Sequence, residues 1–164
     1  MQVLCTPWRR EYILAARQPE GCVFCGLLAA PASDAERLIL HRGDQAYLLL
    51  NRYPYTPGHL LVVPYEHTAR LAELPVATLD EMLALSQVGE HLIRSCFGCR
   101  SLHGGANVGR VAGAGVPDHI HFHLVAWPAG QLWTECCSEQ GLPEGLPETY
   151  ARMQARLPAL LQRT

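Results

Sequence analysis

The chain reads as an α+β domain built on a mainly antiparallel five-stranded sheet, with one long helix and one C-terminal helix. Two observations predict this. Five short apolar runs are separated by turn residues without the regular strand–helix alternation of βαβ units. A single long stretch after residue 78 repeats its apolar residues at helical spacing. The size agrees, since 164 residues of which 49% are hydrophobic can bury one proper core.

The elements follow in order. Residues 1–21 read as an N-terminal extension with a turn of helix over 12–17. Residues 37–42 and 45–50 flank Gly43-Asp44, a short connection that predicts an antiparallel hairpin. The segment 51–58 (N-R-Y-P-Y-T-P-G) is a loop punctuated by proline and glycine, and 59–63 is an apolar strand closed by Pro64. Thr78 and Glu81 form a candidate capping box, and Leu79, Met82, Leu83, Val88 and Leu92 give the stripe of a helix that ends near Cys96–Gly98. Residues 104–111 and 119–127 are expected to be strands, separated by the small-residue loop A-G-A-G-V-P-D. A last helix is expected over 147–157, with Pro147 at its start and Pro158 near its stop. The expected organisation is an extension over 1–21, a domain over 22–130 and a C-terminal extension with its helix over 131–164.

Composition narrows the chemistry. All thirteen basic residues are Arg and none is Lys, which removes Schiff-base and phosphate-loop lysine chemistry. A net charge of −2 argues against bulk nucleic-acid or anionic-membrane binding. No apolar run approaches the ~20 residues that span a bilayer, and the N-terminus lacks a signal-peptide core. Seven cysteines form an odd set, and two C-x-x-C pairs, Cys22/Cys25 and Cys96/Cys99, suit metal or redox work better than a disulfide framework. A thioredoxin-like reading lacks its βαβ context, so the expected setting is the cytoplasm.

The sharpest feature is D-H-I-H-F-H-L-V-A-W at 118–127. His119, His121 and His123 alternate with Ile120, Phe122 and Leu124, so a strand here lines one face with three imidazoles at ~6.6 Å intervals. Imidazole serves near neutral pH as nucleophile, proton carrier or metal ligand.

H-I-H-F-H resembles the His-x-His-x-His signature of the histidine-triad superfamily of nucleotide hydrolases and transferases. C-V-F-C at 22–25, N-R-Y-P-Y-T-P-G-H-L-L-V-V-P at 51–64, E-H at 66–67 and G-A-N-V-G at 105–109 stand in that family's order. The likeness runs from about residue 22 to 127. The 51–59 stretch and V-A-G-A-G look most like the bacterial diadenosine tetraphosphate phosphorylase and hydrolase branch.

The resemblance implies roles residue by residue. His121 would attack the α-phosphorus and form a nucleotidyl-histidine, oriented by a backbone carbonyl near His119, with His123 on the phosphate oxygens and His59 in support. Asn51 would hold the ribose, and Asn107 would face the phosphates with Gly109 among the glycines that let phosphate approach. Leu48, Leu50 and Tyr53 would wall the base, and Arg110 and Arg52 would meet the polyphosphate. Cys22, Cys25, His67 and His119 would make a structural zinc site, with no organic cofactor. An all-thiolate site from both C-x-x-C pairs is the rival. The partners implied are a nucleotide or dinucleoside polyphosphate and a second copy in a homodimer, not nucleic acid or a membrane.

Two departures stand out. Val116 occupies the place of a family serine, and Ala126-Trp127-Pro128 replaces a Pro-Arg-Trp that follows the triad in the phosphorylase branch. Other readings of the motifs are a zinc-stabilised nucleotide-binding module with little catalysis and a uridylyltransferase-like transfer.

Overall fold

The structure, a computed structural model, describes residues 21–29, 31–127 and 144–162. The expected helical turn over 12–17 and the Cys136–Cys137 pair lie outside these residues.

Helices α1 (Val23–Ala29) and α2 (Asp34–Arg37) precede strands β1 (Ile39–Arg42), β2 (Ala46–Leu50) and β3 (Leu60–Pro64). The long helix α3 (Val76–Phe97) follows, then β4 (Ser101–Gly105), β5 (Phe122–Trp127) and the C-terminal helix α4 (Leu146–Leu161). The strands form one five-stranded sheet in the order β1-β2-β3-β5-β4, antiparallel at every pairing. The predicted architecture is therefore observed. No helix among the described residues is long and apolar enough to cross a membrane.

The two faces of the sheet bury different residues. Leu48, Leu50, Leu60, Val62 and Leu124 point to one side, where Met82, Val88 and Leu92 of α3 and Met153 and Leu157 of α4 cover them. Met82, Leu92, Ile93 and Met153 are wholly buried, each worth about 1.5–3 kcal/mol against exposure. The approach of α3 requires Gly89, where a Cβ would lie 2.5 Å from a Leu124 methyl. Helix α4 is also tied to β1 by polar contacts, Tyr150 Oη to the Ile39 carbonyl at 2.9 Å and Gln154 to the Leu40 carbonyl at 2.8 Å. On the opposite side Ile39, Tyr47, Leu49, Leu61 and Val63 meet Phe24 of α1.

Several boundaries differ from expectation for local reasons. The first hairpin arm begins with α2 rather than strand, because Ser33 and Glu36 form a capping box, with bonds of 2.7 and 3.3 Å. The Thr78–Glu81 box does not form. Helix α3 starts at Val76, Thr78 is buried, and the Glu81 carboxylate instead accepts the backbone N–H groups of Asp44, Gln45 and Ala46. Leu83 is 57% exposed, and Leu85 takes the place in the apolar stripe that the sequence reading gave it. The strand expected over 104–111 lies at Ser101–Gly105. Positive φ angles at Gly109 and Gly113 bracket a 3₁₀ turn at Arg110–Ala112 and prevent an extended ladder there. Helix α4 continues past Pro158 to Leu161, since the exposed ring forfeits a single helical bond one turn from the end.

Candidate active site and metal centre

The triad residues straddle the start of β5. Ladder pairing begins at Phe122, while His119 and His121 precede it on extended chain anchored by the Ile120 N–H to the Thr68 carbonyl at 2.7 Å. The alternation holds nonetheless. Ile120 and Leu124 enter the helix-covered core, whereas Phe24 on the other face contacts the rings of both His119 and His121, at 5.3 and 5.0 Å.

Hydrogen bonds assign the tautomers. His121 Nδ1 lies 2.9 Å from the His119 carbonyl, which only accepts, so the proton sits on Nδ1 and Nε2 carries the lone pair. His119 Nε2 lies 3.0 Å from the Pro64 carbonyl, which leaves its Nδ1 as the bare nitrogen. Both rings are nearly sealed from water, at 1% and 4% exposure. Burial holds both below the usual histidine range, so both stay neutral near pH 7.

His59, fully buried beside Gly58, orders the third member of the triad. Its Nδ1 accepts the Tyr55 N–H at 3.1 Å, which places the proton on Nε2, directed at His123 Nδ1 3.0 Å away. His123 therefore carries its own proton on Nε2, and its ring packs against His121 at 4.8 Å. The Asn51 side chain stabilises the same loop, with Nδ2 3.2 Å from His59 and Oδ1 accepting the Tyr53 N–H at 2.9 Å. Gly58 is required because a Cβ there would meet the Phe97 ring at 2.3 Å, and its φ is +74°.

A cleft of about 780 Å³, counted to its open mouth, lies in front of His121 and His123. Of the expected binding residues, Leu50, Asn51, Arg52 and Tyr53 line it, as do Gly113, Gly115 and Val116. Asn107, Gly109 and Arg110 are not among its lining residues. Leu48 is not a wall of the cleft either, because it points into the helix-covered core; Leu49 faces the cleft instead. Leu50 borders the cleft but belongs to that core as well. The sequence reading missed Phe24 and Leu27 of α1, Tyr55 and Arg37. Only the spacing of Phe24 within C-V-F-C, next to expected ligands, offered a signal for any of these.

The other end of the triad is a cluster of soft donors. The first turn of α1 sets Cys22 and Cys25 side by side, through the Gly26 N–H to Cys22 carbonyl bond of 2.9 Å. With His67 and His119 they present four ligand atoms within 4.8 Å of one another, the one such cluster among the described residues. His119 Nδ1 is 3.3 Å from Cys22 Sγ and 3.3 Å from His67 Nδ1, and Cys25 Sγ is 3.4 Å from His67 Nδ1. The donor set fits a tetrahedral, thiolate-accepting cation, since the lone pair of His119 already faces inward. Burial and the neighbouring Cys22 push the Cys25 thiol up, a penalty that a bound cation removes. The all-thiolate alternative is excluded, because Cys99 is buried in the helix-covered core on the far side of the sheet, with Cys96 packed against it.

Comparison with known proteins gives a consistent picture. Residues 33–128 match the HIT domain family. AP-4-A phosphorylase of Mycobacterium tuberculosis (strain CDC 1551 / Oshkosh) is 34% identical over 137 residues, which cover 76% of this chain and 67% of that protein. Adenosine 5'-monophosphoramidase hnt1 of Schizosaccharomyces pombe is 29% identical over 107 residues, 65% of this chain and 74% of that one. A Zn-bound histidine triad family protein from Mycobacterium smegmatis superposes with a TM-score of 0.70 at 27% identity, covering 88% of this chain and 98% of that structure.

Proposed function

Given that the chain belongs to the HIT-domain, or histidine-triad, family, we propose that it cleaves a dinucleoside polyphosphate such as diadenosine tetraphosphate through a covalent nucleotidyl-histidine. The observation that carries this reading is the His121 ring, neutral, buried and turned so that Nε2 bears the lone pair.

In the proposed reaction His121 Nε2 attacks the α-phosphorus. The N–P bond forms as the P–O bond to the departing nucleoside polyphosphate breaks, and the electron pair leaves on that oxygen. The Nδ1–H remains on the His119 carbonyl and stabilises the charge that develops on the ring. His123, its Nδ1 occupied by His59, offers Nε2–H to the phosphate oxygens. Water or inorganic phosphate then attacks the same phosphorus and frees His121.

Val116 favours the polyphosphate class. A hydroxyl at that position would suit a leaving group that must gain a proton, such as an amine; a polyphosphate departs as a stable anion and needs none.

Zinc is the cation that the cluster of Cys22, Cys25, His67 and His119 fits best, and with four protein ligands it would be structural. The same residue, His119, then fixes both the metal corner and the carbonyl that orients His121. Elemental analysis of the purified protein should find one zinc per chain, lost in Cys22→Ser. A homodimer pairing sheets, in the reducing cytoplasm, completes the reading.

The deciding experiment offers diadenosine tetraphosphate with and without phosphate and resolves the products. ADP with ATP identifies phosphorolysis, and AMP with ATP identifies hydrolysis. Intact mass after acid-free quenching should show an adenylyl adduct that disappears in acid. Turnover with no adduct in the wild type, or an adduct surviving in His121→Ala, would overturn the mechanism.

A further inference from the structure

Arg37 ends α2 and lines the cleft. Its side chain is 12% exposed, and its buried Nε–H meets no acceptor among the described residues. The nearest carboxylate does not serve it. Asp34 stands 3.9 Å from Nη1, beyond hydrogen-bond reach, and both Asp34 oxygens are already held by Arg42 at 2.7–3.1 Å. Arg52, the other guanidinium on the cleft, is exposed and already gives an Nη2–H to the Glu36 carbonyl at 3.0 Å. A largely buried guanidinium with an unpaired donor is unusual, and it favours any ligand that brings an acceptor to it.

The rest of the cleft decides what kind of acceptor that is. Phe24, Leu27, Leu49 and Leu61 supply apolar wall, suited to a flat ring. A dianionic group instead calls for several exposed donors, whereas Arg37 is mostly enclosed. We propose that Arg37 reads the nucleobase and that the cleft prefers a 6-oxo purine, such as guanine, over adenine. This rests on the nucleotide reading given above and names the base that it leaves open.

The chemistry lies in the side-on fork of the guanidinium, where Nε–H and one Nη–H project in parallel. Guanine presents O6 and N7 on one edge, two acceptors at matching spacing. Adenine presents N7 beside an amino group, so one bond is lost and two donors face each other. Turning the fork toward the ring sacrifices no hydrogen bond of Nε among the described residues, because Nε has none there to give up.

The test compares diguanosine with diadenosine tetraphosphate by kcat/KM, and GMP with AMP by calorimetric Kd, in the full-length wild type, Arg37→Met and Arg37→Lys. The wild type should favour the guanosine ligand by about tenfold or more in both measurements. Both variants should bring the two bases to within about threefold, since methionine lacks the donors and lysine lacks the fork. Thermal melts verify that each variant is folded, and Arg37→Lys keeps the charge should Arg37→Met fail to fold. Equal constants for the two bases in the wild type, or a guanine preference that survives both substitutions, would sink the inference. If the wild type turns over neither tetraphosphate, the proposed reaction falls, and the GMP to AMP ratio still decides whether Arg37 reads the base.

Discussion

The two faces of this sheet are built from alternate residues of the same strands, yet they solve opposite problems. On the face under α3 and α4, β5 offers Leu124 to wholly apolar partners such as Met82 and Leu92. On the other face the same segment carries His119 and His121, almost as deeply buried, and His123, half-buried at the cleft. Burying imidazole is tolerable there because each ring N–H meets an acceptor: the Pro64 carbonyl for His119, the His119 carbonyl for His121, and His123 Nδ1 for His59. The comparison teaches that one face stores stability and the other stores protonation states, so substitutions on the two should separate cleanly.

The largest effect should come from His121→Ala. Turnover of a nucleotide substrate should drop by at least about 10³-fold, with the melting temperature close to wild type. Steady-state kinetics beside a thermal melt checks this, and a parallel collapse of both would break the comparison. Met82→Ala on the opposite face should do the reverse. It should remove about 2–5 kcal/mol in urea denaturation while the folded fraction keeps its kcat/KM.

Glu81→Gln removes the charge from a carboxylate that accepts three backbone N–H groups, and should lower stability by about 1–3 kcal/mol. The smallest effect belongs to the rim. Arg42 holds the Asp34 carboxyl below its ordinary value through their hydrogen bonds. Its folded value is the lower one, so the stabilisation is complete above the unfolded value, near 4, and is lost as the pH falls below it. Because both side chains are substantially exposed, Asp34→Asn should cost only about 0.5 kcal/mol at pH 7 and less near pH 2. Urea midpoints at the two pH values measure it.

Much of this arrangement was legible in the chain. Strict alternation of His119, His121 and His123 with apolar residues determined which face each takes, and Cys22, Cys25, His67 and His119, expected together as donors, do stand together in one cluster that could hold a metal ion. The turn residues delimited β2 and β3 almost to the residue. Other features escaped for physical reasons. The run Leu48-Leu49-Leu50 carries no alternation, so only pairing with β3 determines that Leu49 faces the cleft. Glu81 matched a capping pattern whose alternative partner lies 35–37 residues away, a contact that no local rule contains. Arg37 and Tyr55 reach the cleft through the packing of short loops and a one-turn helix, where neither periodicity nor motif points anywhere.

That Glu81 contact has a kinetic side. The β1–β2 hairpin closes on Gly43-Asp44, and although the Gly43 N–H meets the Ala46 carbonyl at 2.9 Å, the N–H groups of Asp44, Gln45 and Ala46 find their acceptor on α3. A hairpin stabilised by its own turn residues can form in microseconds; this one depends on a loop closure of more than thirty residues before the last three N–H groups of its turn are satisfied. The docking of α3 and the registration of β1 against β2 thereby become one cooperative event, so the strand that carries Asn51 at its exit is not set until the helical layer of the domain is in place.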